Sequence, residues 1–246
     1  MRAIIPSAGK GTRLSTSPDA PPKAMFRVCG RPLLEIVLEQ TDFISQEDTY
    51  IVVGYKREEI MAYFGSRYHY AVQEQQLGTG HAVMMCAADF RDYEGPVLVT
   101  FGDMPLFRRE SMLGLCRQLE KEHAACALLT AVNPEVPLWA RIVRDADGRF
   151  ERIVEGKDCT PEQARIQELF AGVLAFDSKR LFEFLPKLDA NNVQHEFYLT
   201  EVPEMMARAG LCVTTIQTDD PNDIRGINTK EDVALCEKVL KQRQGK

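Results

Sequence analysis

The stretch Ala3–Arg13, which reads AIIPSAGKGTR, decides the fold of this chain. Its first residues, Ala3–Pro6, form a short apolar run that predicts a buried β-strand. The residues after it, Ser7–Arg13, are rich in glycine and basic side chains. Glycines let the backbone turn sharply and bring its N–H groups close to an anion. The stretch therefore indicates either a phosphate-binding loop at the end of a strand or a plain strand-to-loop turn.

Two common nucleotide-binding loops do not fit this stretch. The Walker loop ends in Gly-Lys-Ser/Thr, whereas Gly11 is followed here by Thr12 and Arg13. The dinucleotide fingerprint needs a third small residue that opens a helix, whereas Leu14 stands there and the next predicted helix begins at Pro32. The loop is therefore long and basic, which disfavours a nicotinamide-dependent oxidoreductase.

Short β-rich runs alternate with helical patterns, as is typical of a mainly parallel sheet with crossover helices. The predicted strands are Ala3–Pro6, Thr49–Val53, Tyr68–Val72, Val97–Phe101, Ala125–Val132, Leu169–Phe176 and Val213–Gln217. The predicted helices are Pro32–Thr41, Arg57–Phe64, Gly78–Ala88, Arg109–Glu122, Tyr198–Ala209 and Lys230–Gln242. A turn at Asp145–Gly148 predicts a hairpin of Ala140–Arg144 with Phe150–Glu155. We predict an α/β fold with a Rossmann-like, mainly parallel mixed sheet, helices on both faces and a small β-rich subregion.

The composition is that of an ordinary globular protein. The 246 residues are 45% hydrophobic, which is enough to bury a sizeable core. The formal net charge of -6 disfavours a nucleic-acid partner. No apolar run approaches the roughly 18 residues of a membrane span, and the first strand is too short for a signal peptide. The seven scattered cysteines form no Cys-x-x-Cys pair, so we expect a cytoplasmic protein without disulfides or zinc. The oligomeric state stays open.

The glycine-rich stretch Ser7–Arg13, called the glycine loop below, is followed by Pro22-Lys23. Together they resemble the signature of the sugar-nucleotide pyrophosphorylases, which are nucleotidyltransferases. The resemblance implies that Arg13 and Lys23 contact the phosphates of a nucleoside triphosphate and are the catalytic residues. It implies that the loop residues Ala8, Gly9, Gly11 and Thr12 wrap the same triphosphate. The spacing from Arg13 to Lys23 is longer than usual by a few residues, and Ser17–Pro21 marks the insertion.

The string Gln73–Ala82, QEQQLGTGHA, follows a predicted strand and opens a predicted helix. A glycine-rich helix start offers free backbone N–H groups and a positive helix end. An ordinary helix start with Thr79 as its capping residue is the structural alternative. The string resembles the QLGTGHA segment of the N-acetylglucosamine-1-phosphate uridyltransferases. This resemblance implies that Gln73, Gly78 and Thr79 bind uracil, which makes UTP the expected nucleotide.

Two segments far apart in the chain indicate a metal site. Phe101–Leu106 closes a predicted strand, and a carboxylate at the carboxyl end of a strand in an open sheet lies where ligands bind. Mg²⁺ prefers oxygen ligands and keeps several waters, so one Asp plus substrate phosphates can suffice. For this first segment, a plain turn at Gly-Asp is the alternative. The second segment contains Asn228 and Thr229, and there the alternative is a helix cap at one of these two residues. The family resemblance implies that Asp103 and Asn228 bind Mg²⁺.

The second half of the chain resembles the sugar-binding part of the same family. Glu155 matches the carboxylate that accepts sugar hydroxyls, although a solvated charge run is the alternative. The other matching sugar-facing positions are Phe101, Gly102, Ala140 and Phe170. The chain departs from the family at Phe101 (often Tyr), at Trp139–Arg141 (usually Tyr-Gly-Arg) and at Phe170–Gly172 (Asn-Thr-Gly). A site that loses a hydrogen-bonding group loses discrimination, so the acceptor need not be N-acetylglucosamine 1-phosphate.

The resemblance covers most of the chain and implies one nucleotidyltransferase domain over residues 1–246. Its nucleotide-binding half is expected at 1–135 and its sugar-binding half at 136–246. The expected reaction joins a nucleoside triphosphate, first of all UTP, to N-acetylglucosamine 1-phosphate or a related hexose 1-phosphate and releases pyrophosphate. A non-catalytic sugar-nucleotide sensor and a cytidylyltransferase on the same fold are the alternatives. The sequence shows no hexapeptide repeat, so we expect no acetyltransferase activity of the kind that often accompanies this domain.

Overall fold

A computed structural model describes residues 1–133 and 139–244 of the chain. The strands are β1 (Arg2–Pro6), β2 (Arg27–Val28), β3 (Arg31–Pro32), β4 (Thr49–Val53), β5 (His69–Val72), β6 (Pro96–Val99), β7 (Cys126–Val132), β8 (Arg141–Arg144), β9 (Phe150–Val154), β10 (Glu168–Asp177) and β11 (Val213–Gln217). The helices are α1 (Leu33–Gln40), α2 (Arg57–Phe64), α3 (Thr79–Met84), α4 (Arg109–Lys121), α5 (Ser178–Phe184), α6 (Glu201–Arg208) and α7 (Lys230–Gln244).

The central sheet has the strand order β11-β7-β10-β6-β1-β4-β5. Strand β1 runs parallel to β4 and β6, and β11 runs parallel to β7. Strand β10 runs antiparallel to both of its neighbours, β6 and β7. The hairpin β8–β9 joins the sheet beside β10. These pairings confirm the mainly parallel mixed sheet and the predicted hairpin.

Helices cover both faces of the sheet because buried side chains alternate along each strand. On β1, Ile4 belongs to an apolar cluster with Val83 of α3 and Leu181 of α5. Its neighbour Ile5 belongs to a different cluster with Leu34 and Val37 of α1. Each fully buried side chain of this size contributes about 1.5–3 kcal/mol to folding. The two faces thus form separate parts of the core.

The ends of some elements differ from the prediction. Helix α1 begins after Pro32, which pairs with Arg27 in a small two-stranded sheet instead of opening the helix. Helix α5 was not predicted, although Asp177 caps it by accepting a hydrogen bond from the backbone of Arg180. A helix this short is stabilised mainly by the packing of Leu181, which its own sequence does not reveal.

Both predicted halves contribute strands to the same sheet, because β7 of the first half pairs with β10 and β11 of the second. The predicted boundary between the halves, at residues 135 and 136, lies outside the described residues. The division into a nucleotide half and a sugar half stays a prediction.

All seven cysteines lie within the described ranges, and none of them forms a disulfide. In the same ranges, no helix combines the length and the apolar character needed to cross a membrane. The cytoplasmic location stays a prediction.

Candidate active site

Two neighbouring cavities open at the edge of the sheet where β1, β5 and β6 end. The glycine-loop cavity has a volume of about 230 Å³, and its lining includes Ala8, Gly9, Lys23, Gln73, Gly78 and Gly102. The Trp139 cavity has a volume of about 390 Å³, and its lining includes Arg13, Trp139, Ala140, Glu155, Phe170 and Asn228. Thr79, Phe101 and Asp103 line both cavities. The two cavities therefore form one cleft.

The glycine loop folds back on Lys23. The carbonyl oxygen of Gly9 accepts a hydrogen bond from the backbone N–H of Lys23 at 3.1 Å. Gly11 has a φ of +74°, and a Cβ atom there would lie 3.2 Å from the Cβ of Lys23. Gly11 and Thr12 are not among the residues that line the two cavities. In this structure they shape the loop that carries Lys23 to the cleft.

Four predicted side chains meet between the two cavities. The ammonium group of Lys23 contacts the carboxylate of Asp103 and lies 2.8 Å from the carboxamide oxygen of Asn228. One guanidinium nitrogen of Arg13 lies 2.7 Å from the same oxygen of Asn228. Asp103 and Asn228 therefore direct one oxygen each at a single positive charge. Such a pair of oxygens fits a hard cation like Mg²⁺ that shares its other positions with phosphates and water.

The start of α7 leaves the side chain of Asn228 available to the cleft. The backbone N–H groups of Asn228 and Thr229 both donate to the carboxylate of Asp232 at 2.8 Å. The hydroxyl of Thr229 accepts a hydrogen bond from the backbone N–H of Asp232 at 3.2 Å. Thr229 and Asp232 therefore cap the helix reciprocally. The capping alternative applies to Thr229 and leaves the carboxamide of Asn228 free for the contacts with Lys23 and Arg13.

The segment predicted to read the base packs against the loop before α6. Gly78 has a φ of +114°, and a Cβ atom there would lie 2.6 Å from the carbonyl oxygen of Phe197. Gln73 is 3% exposed, and its side-chain nitrogen donates to the carbonyl oxygen of Gly78 at 3.0 Å. The hydroxyl of Thr79 accepts a hydrogen bond from the backbone N–H of Leu199 at 3.0 Å. Thr79 therefore does not cap α3, whose start has no side-chain cap.

Replacing Gly78 by alanine should lower the free energy of unfolding by about 1–3 kcal/mol, because alanine would be strained at this φ and would collide with Phe197. Urea denaturation measures this change. The matched control is Gly114→Ala in α4, where a Cβ atom meets nothing within 4 Å. That control should gain about 1 kcal/mol from helix propensity. Equal midpoints for the two variants would contradict the requirement for glycine at position 78.

The Trp139 cavity places the carboxyl group of Glu155 in the same lining as the aromatic side chains of Trp139 and Phe170. Burial raises the pKa of the Glu155 carboxyl, and a hydrogen bond from the hydroxyl of Thr200 at 2.8 Å acts in the opposite direction. The indole N–H of Trp139 donates to the carbonyl oxygen of Phe170 at 2.9 Å. The ring of Trp139 also packs on Gly226, where a Cβ atom would lie 3.4 Å from it. The cavity therefore offers a flat aromatic wall and a hydrogen-bond acceptor.

Gly102 differs from the other four residues predicted to face the sugar, all of which line the Trp139 cavity. It lines the glycine-loop cavity and not the Trp139 cavity. A Cβ atom there would lie 2.2 Å from the hydroxyl oxygen of Ser7, so this position has no room for a side chain. Gly102 therefore allows the loop that carries Asp103 to pass close to the start of the glycine loop.

Several residues that line the cleft were not predicted. They include Gln76, Met104, Lys157, Gln194, Glu196 and Thr200. Gln76 lies within the string Gln73–Ala82 that was predicted to bind the base, so its sequence position could have placed it in the cleft. Gly172 has a φ of +85°, and a Cβ atom there would lie 2.5 Å from the sulfur of Met104. That contact between distant residues has no local signal in the sequence.

A family model described as the MobA-like NTP transferase domain matches residues 3–191. The chain belongs to this family. The chain is 37% identical over 241 residues to the "Bifunctional protein GlmU" of Enterococcus faecalis and 38% identical over 241 residues to that of Limosilactobacillus reuteri. Each match covers 98% of this chain and 52% of the relative, so the chain spans about half the length of these relatives. The predicted family resemblance is confirmed.

Solved structures with the same fold carry sugar-nucleotide names. One is a putative glucose-1-phosphate thymidylyltransferase from Bacillus anthracis, with a TM-score of 0.78, 17% identity and coverage of 97% of this chain and 94% of that chain. Another is a UDP-glucose pyrophosphorylase complexed with UDP-glucose, with a TM-score of 0.78, 17% identity and coverage of 98% of both chains. At this identity the likeness shows the fold, and it confirms the predicted fold class.

Proposed function

We propose that this NTP transferase joins a nucleoside triphosphate, first of all UTP, to a sugar 1-phosphate and releases pyrophosphate. The acceptor is N-acetylglucosamine 1-phosphate or a related hexose 1-phosphate. The observation that carries the proposal is the meeting of Arg13, Lys23, Asp103 and Asn228 between two connected cavities. One cavity then takes the nucleotide and the other takes the sugar.

The reaction forms one P–O bond and breaks another. An oxygen of the acceptor phosphate attacks the α-phosphorus, and the bond from that phosphorus to the oxygen bridging to the β-phosphate breaks as pyrophosphate leaves. The attacking oxygen is already an anion, so no general base is needed. The barrier comes from bringing several negative charges together, which positioning and positive charge reduce. Arg13 and Lys23 supply that charge next to the leaving pyrophosphate.

Asp103 and Asn228 would hold Mg²⁺ through their side-chain oxygens. The fit rests on the two oxygens that converge on the ammonium group of Lys23. When bound, Mg²⁺ supplies a divalent charge to the phosphates of both substrates. The backbone N–H of Ile227 donates to the carbonyl oxygen of Asp103 at 2.9 Å, which keeps the two ligand segments side by side.

The two halves of the cleft divide the substrates between them. In the half at 1–135, the glycine loop wraps the triphosphate, and Gln73, Gly78 and Thr79 bind the base. In the half at 136–246, Glu155 accepts a sugar hydroxyl, and the sugar ring packs on Phe170 beside Ala140. Phe101 of the first half contacts the sugar from the same cavity. The aromatic ring of Phe170 offers no hydrogen bond, so recognition of the sugar rests on shape and on polar side chains of the lining such as Glu155.

The choice of UTP rests on the string Gln73–Ala82 and its resemblance to uridyltransferases. One structure with the same fold is named as complexed with UDP-glucose, and another is named as a thymidylyltransferase. Both names refer to pyrimidine nucleotides, which agrees with UTP as the expected nucleotide.

Pyrophosphate release across a matrix of nucleotides and sugar 1-phosphates tests the proposed function. UTP with a hexose 1-phosphate should give the highest kcat/KM. If CTP exceeds UTP with every acceptor, the chain is a cytidylyltransferase and the UTP assignment is wrong. If calorimetry shows that UTP binds while no pair of substrates releases pyrophosphate, the chain is a sensor and the proposed activity is wrong.

A further inference from the structure

We infer that an ion-pair cluster, in which Arg108 and Arg243 contact the buried carboxylate of Asp223, sets the separation between Asp103 and Asn228. The inference rests on the proposed function, because it concerns the two residues to which that function assigns the metal. None of the three cluster residues is among those that line the two cavities. They are therefore positioning residues that act through Asp103 and Asn228 and not groups that touch substrate.

The centre of the cluster is the carboxylate of Asp223, which is 0% exposed. Arg108 donates to it at 3.1–3.3 Å, and Arg243 donates to it at 3.3 Å. The hydroxyls of Ser111 and Thr218 donate to the same carboxylate at 2.9 and 2.6 Å. A buried carboxylate that lost its cationic partners would destabilise the fold strongly. Asp223 therefore holds together the start of α4, the loop after β11 and the end of α7.

The cluster joins the two segments that carry the proposed metal ligands. Arg108 lies five positions after Asp103, and Asp223 lies five positions before Asn228. The ion pair between Arg108 and Asp223 therefore ties the segments together at one end. The hydrogen bond from Ile227 to Asp103 ties them together at the other end. Because both links hold the two segments side by side, the distance from Asp103 to Asn228 can vary little.

Arg243 contacts both segments with one guanidinium group. It donates to the carbonyl oxygen of Leu106, in the segment after Asp103. It also donates to the carboxylates of Asp220, at 2.7 Å, and Asp223, in the segment before Asn228. The planar guanidinium presents several donors in a fixed arrangement, which the single ammonium group of lysine cannot reproduce. Arg243 thus connects the two segments from a third element, the end of α7.

Helix α7 constrains Asn228 from both of its ends. Its first turn binds the backbone N–H of Asn228 through Asp232, and its last turn supplies Arg243. Loss of Arg243 would leave the hydrogen bond from Asn228 to Asp232 in place and would remove the contacts that Arg243 makes with the two segments. We therefore expect a loosened metal site and not an unfolded chain.

The test is the affinity for Mn²⁺ in the presence of UTP, measured by electron paramagnetic resonance on the full chain. Arg243→Met should weaken Mn²⁺ binding by about tenfold, as is usual when groups that orient metal ligands are removed. The Mg²⁺ concentration for half-maximal pyrophosphate release should rise by about the same factor. Turnover at saturating Mg²⁺ should stay close to that of the wild type. Arg243→Lys should give an intermediate affinity for Mn²⁺, because lysine keeps the positive charge but lacks the several donors of the planar guanidinium.

Arg2→Met is the matched control. The side chain of Arg2 is 25% exposed and that of Arg243 is 26% exposed, and both form ion pairs with aspartates. Arg2 stands at the start of β1, at the opposite end of the strand from the cleft. Its variant should lose thermal stability and keep the wild-type affinity for Mn²⁺. If Arg243 had only a structural role, Arg243→Met would behave like Arg2→Met: it would lose thermal stability and keep the wild-type affinity for Mn²⁺.

The possible failures are distinguishable. If the wild type binds no Mn²⁺ with UTP, the proposed metal site is wrong and the inference is wrong with it. If the wild type binds Mn²⁺ and folded Arg243→Met binds it equally well, the inference alone is overturned. If Arg243→Met does not fold, a wild-type affinity in Arg243→Lys overturns it in the same way.

Discussion

Asp103→Asn should abolish pyrophosphate release, with a loss of turnover on the order of 10³-fold or more, since a single preorganised electrostatic group often contributes 10²–10³-fold. The substitution keeps the size of the side chain and leaves the backbone contact with Ile227 in place. It removes the negative charge that faces Lys23 and, in the proposed function, Mg²⁺. Added Mg²⁺ should not restore turnover, because a neutral amide is a much weaker ligand for a hard cation than a carboxylate.

The matched control for Asp103→Asn is Asp147→Asn in the turn between β8 and β9. The Asp147 side chain is 68% exposed and pairs only at the surface with Arg149. This control should keep wild-type turnover, because an exposed ion pair contributes little. Turnover of Asp103→Asn within tenfold of the control at saturating Mg²⁺ would contradict the role assigned to Asp103.

The parts of the cleft that follow parallel strands could be predicted from the sequence. Ala8, Gln73 and Asp103 each come shortly after a short β-rich run, and parallel strands end at a common edge of a sheet. Local motifs and this one topological rule therefore suffice to bring them together. The structure places all three on the lining of the glycine-loop cavity. Their chemical roles stay predictions until the variants are measured.

The parts of the cleft that depend on strand direction and on distant contacts could not be predicted in this way. Strand β10 runs antiparallel to β6, so its beginning, with Phe170, lies at the edge where the parallel strands end. Periodicity gives the strand but not its direction. The resemblance alone assigned Phe170 to the site. Likewise, no local pattern shows that Arg243 at the end of α7 contacts the loop after β11.

The sensor alternative and the transferase proposal differ most sharply at Arg13. A sensor needs only to bind the nucleotide, and Lys23 together with the residues around Gln73 would still do so without Arg13. A transferase must also stabilise the charge that develops on the departing pyrophosphate. Arg13 lines the Trp139 cavity and lies against Asn228, so in the proposed function its guanidinium would act beside the metal ligand and the acceptor phosphate.

Arg13→Ala should therefore lower kcat by about 10²–10³-fold while the Kd for UTP changes little, because its charge acts mainly on the transition state. Arg13→Lys should recover part of the lost kcat, because lysine keeps the positive charge but lacks the planar guanidinium. Lys10→Ala is the control on the same loop, since Lys10 lies over the ring of Tyr55 and is not among the residues that line either cavity. Steady-state pyrophosphate release and calorimetry with UTP measure the two quantities. Equal kcat values for the Arg13 and Lys10 variants would remove Arg13 from the reaction, and a parallel loss of UTP binding would make it a binding residue instead.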